Sequence, residues 1–252
     1  MIPALPESLI RTPIAHRGLH DVRAGRPENS RVAVRAAIEA GYGIEIDIQR
    51  SADGQAMVFH DYRLERLTEG NGRVDAHTAE ELAGLTLRGG DEGVPTLGEI
   101  LDIVGGRVAL LVEIKDQDGA LGDAVGPLER AVATALKGYD GDVAVMSFNP
   151  WAVASMRDLA PDIARGLTTE DFAAVDDWAV TLEERRRLSE LPDYDRVGAV
   201  FISHNHRHLL SPRVAELKAA GAKVLSWTIR SPEEEAEARR IADNVTFEGY
   251  LP

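Results

Sequence analysis

The chain has 252 residues, 44% of them hydrophobic, with 28 basic against 42 acidic residues, a net charge of −14 and no cysteine. That composition supports a sizeable core in one large domain or two small ones, and it excludes disulfides, thiol chemistry and zinc–cysteine sites. The acidic balance argues against binding to nucleic acid or to an anionic membrane, both of which draw on Lys and Arg, and a phosphate-bearing substrate would need a local cation to overcome the bulk field.

The first thirteen residues contain Pro3, Pro6 and Pro13 and lack the basic start and apolar run of a signal peptide. No stretch approaches the ~20 apolar residues of a membrane span. A soluble, cytoplasmic protein without stable membrane association is expected. Apolar, β-rich runs then recur at residues 13–18, 43–49, 57–61, 107–115, 142–148, 164–169, 198–203, 223–229 and 244–249. Several are unbroken, as in Val108-Ala109-Leu110-Leu111-Val112 and Ala199-Val200-Phe201-Ile202, which marks parallel strands covered on both faces. Helix signals lie between them. Residues 30–40 follow Asn29 or Ser30 as N-cap and stop at Gly41; Thr96 and Glu99 form a capping-box pattern; Pro212 opens a helix that Gly221 ends; Ser231-Pro232 opens another. Strand and helix alternate throughout with no linker tract and no fixed-period repeat, so an α/β fold in a single domain over residues 1–252 is expected.

One junction breaks the alternation. Only the stretch from Arg50 to Ala56 separates the second and third strands, too short for a parallel crossover, and Asp53-Gly54 is a hairpin signal. The third strand is therefore predicted to return antiparallel beside the second. A turn centred on Asp53-Gly54 sets His60 opposite Asp47, and a longer loop sets it opposite Ile46 or Glu45. Removing this strand leaves eight, the number in a (β/α)8 TIM barrel, whose usual size is about 250 residues.

The strand ends carry the chemistry, since a barrel of this kind builds its site from the C-terminal ends of its strands. The first ends in Ala15-His16-Arg17-Gly18. The second carries Glu45-Ile46-Asp47, two acids on one face, with Ile44, Ile46 and Ile48 on the other. Two like charges on a buried strand need a counter-charge. A hard divalent cation such as Mg²⁺ or Ca²⁺ supplies one, and an Arg or Lys ion pair is the plainer alternative. The fourth strand ends in Glu113-Ile114-Lys115 and the hairpin in Phe59-His60-Asp61, which add a third acid, a cation and a second imidazole. Such a set suits phosphodiester cleavage: cations neutralise phosphoryl charge while one His activates a nucleophile and the other protonates the leaving oxygen.

His16-Arg17-Gly18, Pro27-Glu28-Asn29-Ser30, Glu45-x-Asp47, His60-Asp61 and Glu113-x-Lys115 resemble, in order, the motifs of glycerophosphodiester phosphodiesterases, joined by Val94-Pro95-Thr96-Leu97, Ser147-Phe148 and Trp227-Thr228. The resemblance spans nearly the whole chain. It implies a (β/α)8 barrel that hydrolyses a small-molecule glycerophosphodiester to glycerol 3-phosphate and an alcohol with one divalent cation, Mg²⁺ or Ca²⁺. It implies His16 and His60 as the acid/base pair, Glu45, Asp47 and Glu113 as metal ligands, and Arg17 and Lys115 as phosphate contacts. Glu28 would lie near the metal or substrate, and residues 62–106 would form a short insertion. Arg230 stands where the family commonly has Asn, and Glu248 lies near the end of the last strand, where an Asp is usual. Both departures are expected at the alcohol or glycerol end, leaving the chemistry intact. Phe148 and Trp227, at strand ends, are candidates to wall the substrate pocket, with core packing as the alternative.

The run Ser203 to His208, with three imidazoles, is read as a polar loop in which His204 alone could reach substrate, with a transition-metal site as the alternative. A lysophospholipase D or sphingomyelinase D type activity on lipid, or a barrel that binds a phosphodiester without turning it over, are the competing readings. The sequence leaves a homo-oligomer open.

Overall fold

The structure, a computed structural model, describes residues 2–175 and 178–252. Its strands are β1 (Ile14–Ala15), β2 (Gly43–Arg50), β3 (Ala56–Val58), β4 (Leu110–Ile114), β5 (Val143–Ser147), β6 (Ala164–Thr169), β7 (Phe201–Asn205), β8 (Lys223–Ile229) and β9 (Asn244–Phe247). All but β3 run parallel to their neighbours, in chain order. β1 closes the circle by pairing with β2 at Ile14↔Gly43 and with β9 at Ile14↔Thr246. The result is a (β/α)8 barrel. No helix among the described residues is long and apolar enough to cross a membrane.

β3 lies outside the circle. β2 outruns the short β1, and its last residues take β3 antiparallel at Ile48↔Val58 and Gln49↔Met57. Ser51 N–H donates to the Gln55 carbonyl at 3.0 Å, and Gly54 adopts a left-handed φ of 84°. The loop therefore holds three residues, with glycine at the position that needs positive φ, instead of the two-residue turn that Asp53-Gly54 suggests. The extra residue brings Phe59 level with Asp47, its N–H donating to the Asp47 carbonyl at 2.9 Å, and puts His60 level with Ile46.

Side-chain parity sorts the barrel into a dry end and a polar end. Ile14, Leu111, Met146, Phe201 and Leu225 fill the interior near the strand starts, and Leu5 and Leu9 plug it from below. Leu9 and Leu111 are fully buried, each contributing about 2 kcal/mol relative to exposure. Two residues further along, the same parity delivers Glu113 on β4 and Ser203 on β7, so polar groups gather at the strand ends. Ile44, Ile46 and Ile48 face outward into the core beneath the helices. Met57 on β3 and, from the segment between β3 and β4, Phe59, Leu64, Leu67, Val74, Leu82, Leu87 and Val94 form a small core of their own. The helix Leu97–Val104 instead joins the main core beside the helix Arg31–Ala40, so the last part of the stretch 62–106 belongs to the barrel's outer layer.

Candidate active site

The chain leaves β1 through a sharp turn. His16 N–H still donates to the Phe247 carbonyl at 2.9 Å, then Arg17 and Gly18 take left-handed φ values of 55° and 77°. A Cβ on Gly18 would lie 2.9 Å from the Ala33 carbonyl carbon, so glycine lets the start of the Arg31–Ala40 helix come down against the strand end. Ser30 is the N-cap of that helix, its Oγ accepting from Ala33 N–H at 3.1 Å. That leaves Asn29, buried and also left-handed at φ 56°, free to brace the site. Its Nδ2 donates to Asp47 Oδ2 at 2.9 Å, and its Oδ1 accepts from Asp47 N–H at 3.2 Å.

Glu45 and Asp47 occupy successive inward positions on β2, and the β2–β4 register sets Glu113 directly beside Asp47. All three are nearly fully buried, and one oxygen of each lies within 4.8 Å of the others. Lys115 Nζ approaches Glu113 Oε1 at 2.7 Å and Asp47 Oδ1 at 3.3 Å. Arg17 sets its Nε 3.3 Å from Asp47 Oδ2 and donates its backbone N–H to Glu45 Oε2 at 3.0 Å. Burial pushes the Glu45 carboxyl well above the usual carboxylate range, and Asp47 and Glu113 push it further. Burial acts on Asp47 in the same sense, but His60, Lys115 and Arg17 hold it far below. The trio is thus an all-oxygen, buried anionic cluster still short of positive charge at Glu45. That donor set could hold a metal ion and fits a hard divalent cation.

Each imidazole is backed by a carboxylate. His16 Nδ1 lies 2.6 Å from Glu248 Oε2 while its Nε2 comes within 3.9 Å of Glu45 Oε2. His60 Nδ1 lies 2.7 Å from Asp61 Oδ1. Burial pushes the Glu248 carboxyl up, but the His16 hydrogen bond, the His20 imidazole 3.4 Å away and the Arg230 charge hold it far below the usual range, so the ionised carboxylate accepts from His16 Nδ1–H. Burial lowers His16 itself, more than Glu248 raises it.

These groups meet in one cavity of about 190 Å³ at the polar end of the barrel, lined by His16, Arg17, Glu45, Asp47, His60, Glu113 and Lys115. Phe148 and Trp227 wall its other side, their rings edge-to-face at 5.5 Å. A larger hollow of about 650 Å³, lined by Pro3, Tyr139 and Asp162, lies at the opposite end and holds none of them.

Four placements differ from the expectations or add to them. Glu28 stands behind Arg17, taking Nη1 on Oε1 at 2.8 Å, and is not among the lining residues. Glu248 and Arg230 were expected at the alcohol or glycerol end; Glu248 bonds His16 directly, and Arg230, which lines the cavity, donates Nε to Glu248 Oε1 at 2.8 Å. Ser203, read as part of a polar loop that misses the substrate, and Thr246, given no role, both line the cavity with buried hydroxyls that have no hydrogen-bond partner among the described residues. Their inward parity was the available signal. None of the described lining residues comes from the run 204–208. His204 has outward parity, and its ring is held by Thr169 Oγ1 at 2.7 Å and the His208 carbonyl at 3.2 Å, so it does not reach the cavity.

Known proteins resemble this chain over most of its length. The chain is 30% identical over 232 residues to a glycerophosphodiester phosphodiesterase of Caldanaerobacter subterraneus, covering 88% of this chain and 86% of that protein. It is also 30% identical to glycerophosphodiester phosphodiesterase 1 of Bos taurus, covering 88% and 73%. A solved structure of an Oleispira antarctica phosphodiesterase in complex with the product sn-glycerol-3-phosphate superposes with a TM-score of 0.75 at 26% identity, over 96% of this chain and 94% of that one. The glycerophosphoryl diester phosphodiesterase family matches residues 16–244. With that match running from His16 at the end of β1 to Asn244 at the start of β9, the chain belongs to the glycerophosphoryl diester phosphodiesterase family.

Proposed function

We propose that this chain hydrolyses glycerophosphodiesters to glycerol 3-phosphate and an alcohol, with His16 and His60 as the acid/base pair. One Mg²⁺ or Ca²⁺ would be held by Glu45, Asp47 and Glu113. The observation that carries this reading is the meeting of two carboxylate-backed imidazoles with three buried acids around one cavity. The product bound to the Oleispira relative supports the substrate class.

When bound, the cation neutralises phosphoryl charge as it builds in the transition state. Arg17 and Lys115 contact the phosphoryl oxygens, with Glu28 holding the Arg17 guanidinium from behind. His16, with its Nδ1–H committed to Glu248 and its ring kept neutral by burial, takes the proton of the nucleophile on Nε2. The nucleophile is water, which gives glycerol 3-phosphate directly, or the glycerol 2-hydroxyl, which gives a cyclic phosphodiester that water opens in a second step. His60, the more exposed imidazole, gives a proton to the departing alcohol oxygen, which leaves toward solvent. Phe148 and Trp227 form the apolar side of the cavity and limit water there.

The test is turnover of glycerophosphocholine with and without chelator, and with His16→Ala or His60→Ala. Activity that survives all three changes removes the mechanism. Comparing lysophosphatidylcholine as substrate decides whether the glycerol can carry an acyl chain, as in a lysophospholipase D type activity, and comparing Mg²⁺ with Ca²⁺ fixes the ion.

A further inference from the structure

Arg66 lies in the segment between β3 and β4 and is not among the described residues that line the cavity. Its guanidinium nevertheless spans two carboxylates, each in two-point contact. Toward Asp61, Nε donates to Oδ2 at 2.6 Å and Nη2 to Oδ1 at 2.7 Å. Toward Glu28, Nη1 donates to Oε2 at 2.9 Å and Nη2 to Oε1 at 2.8 Å. The two oxygens that share Nη2 are the ones that reach the site. Asp61 Oδ1 is the partner of His60 Nδ1, and Glu28 Oε1 is the acceptor of Arg17 Nη1. One nitrogen therefore stands between an imidazole and a phosphate-binding guanidinium, a single carboxylate away from each.

Two carboxylates one guanidinium apart repel each other and rotate freely unless something holds both. A planar fork with five N–H donors holds them in one plane; an ammonium group, a point charge on a flexible stem, does not. We propose that Arg66 is a positioning residue for the reaction, fixing the two carboxylates that aim His60 and Arg17, so that the insertion completes a site to which it lends no lining group. The inference rests on the phosphodiesterase reading above. It adds a reason for the insertion to keep its own small core, in which Leu64 and Leu67 flank Arg66 in sequence and anchor its backbone.

The experiment measures kcat and KM for glycerophosphocholine at saturating divalent cation for wild type, Arg66→Ala, Arg66→Lys, His60→Ala and the Arg66→Ala/His60→Ala pair. Arg66→Ala is expected to lose about 10²-fold in kcat, the size of effect that a misplaced catalytic group produces, and to raise KM as Arg17 loosens. Arg66→Lys recovers little of this, whereas added guanidinium ion restores part of the Arg66→Ala loss. In the His60→Ala background the kcat effect of Arg66→Ala shrinks to within about threefold, because residues that act as a unit are not additive. Wild-type kinetics in Arg66→Ala, or a full additional kcat loss on top of His60→Ala, overturns the proposal. If Arg66→Ala does not fold, Arg66→Lys, which keeps the charge, is put through the same cycle with the same two overturning results. Absence of turnover by wild type removes the functional reading and this inference with it; turnover with an inert Arg66 removes this inference alone.

Discussion

Glu248 accepts a hydrogen bond from His16 Nδ1 across 2.6 Å, although 232 positions separate the two residues in the chain. The pairing depends on the closure of β9 onto β1, and Arg230 steadies it by holding the other carboxylate oxygen at 2.8 Å. A carboxylate at Nδ1 fixes the tautomer that leaves the Nε2 lone pair toward the cavity. Glu248→Gln keeps the shape but removes the charge that selects this tautomer. It is expected to lower kcat by about 10²-fold, within the range for general acid–base catalysis, while leaving KM within about twofold. Steady-state kinetics on glycerophosphocholine decides, and an unchanged kcat would show that His16 needs no partner.

The acid trio gives a prediction about stability that needs no assay of activity. Glu45 has its folded-state pKa raised, so above the unfolded value its ionisation costs stability, and at neutral pH that cost is present in metal-free protein. Glu45→Gln removes one of three crowded charges with little change in volume. The variant is expected to melt higher than wild type in chelator. A divalent cation at about a hundredfold above its Kd stabilises wild type by about 2.7 kcal/mol, and this gain is lost in Glu45→Gln. Thermal melts of both proteins with chelator and with Mg²⁺ or Ca²⁺ test it, and a variant that melts lower than wild type in chelator contradicts the crowding argument.

Much of this was legible before any coordinates, and the reasons are physical. Parity along a strand fixes which side chains share a face, so Glu45 and Asp47 could be placed together, and Ile44, Ile46 and Ile48 opposite them, from the sequence alone. The same rule would have excluded His204, because Phe201 and Ser203 share the inward face and His204, one residue further on, points outward. Register across a hairpin is weaker information. One extra loop residue, with Gly54 in the left-handed region, moved His60 from the level of Asp47 to that of Ile46. Contacts made by barrel closure or by the insertion were out of reach, since nothing local to Glu248 or Arg66 announces His16 or Glu28. Those pairings exist only once the tertiary structure brings the segments together.

Gly18 separates two costs that are usually confounded. At φ 77° any side chain is strained by about 1–2 kcal/mol, and a Cβ there also meets the Ala33 carbonyl carbon at 2.9 Å. Gly41 has nearly the same φ, 76°, with nothing within 4 Å of a Cβ. Gly41→Ala should therefore lose only the backbone term. Gly18→Ala should lose distinctly more and also reduce kcat, because pushing the Arg31–Ala40 helix outward carries Asn29 away from Asp47. Urea denaturation of the two variants measures the difference, and equal losses would mean that the close approach to Ala33 relaxes freely.

His204 sets an acid limit on the fold. Burial pushes its pKa down to about 4 from an ordinary value near 6.5, against the smaller upward pull of the His208 carbonyl. Between those two values the unfolded chain binds a proton that the folded chain refuses, so unfolding is favoured as pH falls through the window and stability is fully retained above it. A shift of that size corresponds to on the order of 3 kcal/mol lost by the bottom of the window. His204→Gln removes the titrating group and can still bond Thr169 Oγ1. Its stability should therefore fall less steeply with acid than that of wild type, even if the variant starts lower at neutral pH. Denaturant titrations of both proteins in chelator at about pH 7, 6 and 5 give the comparison, because every other acid-sensitive group is common to the two and cancels. Parallel curves would show that His204 is protonated as readily in the folded barrel as in the open chain, and the source of acid lability in this window would then lie with His16 and His206, whose pKa values burial also lowers.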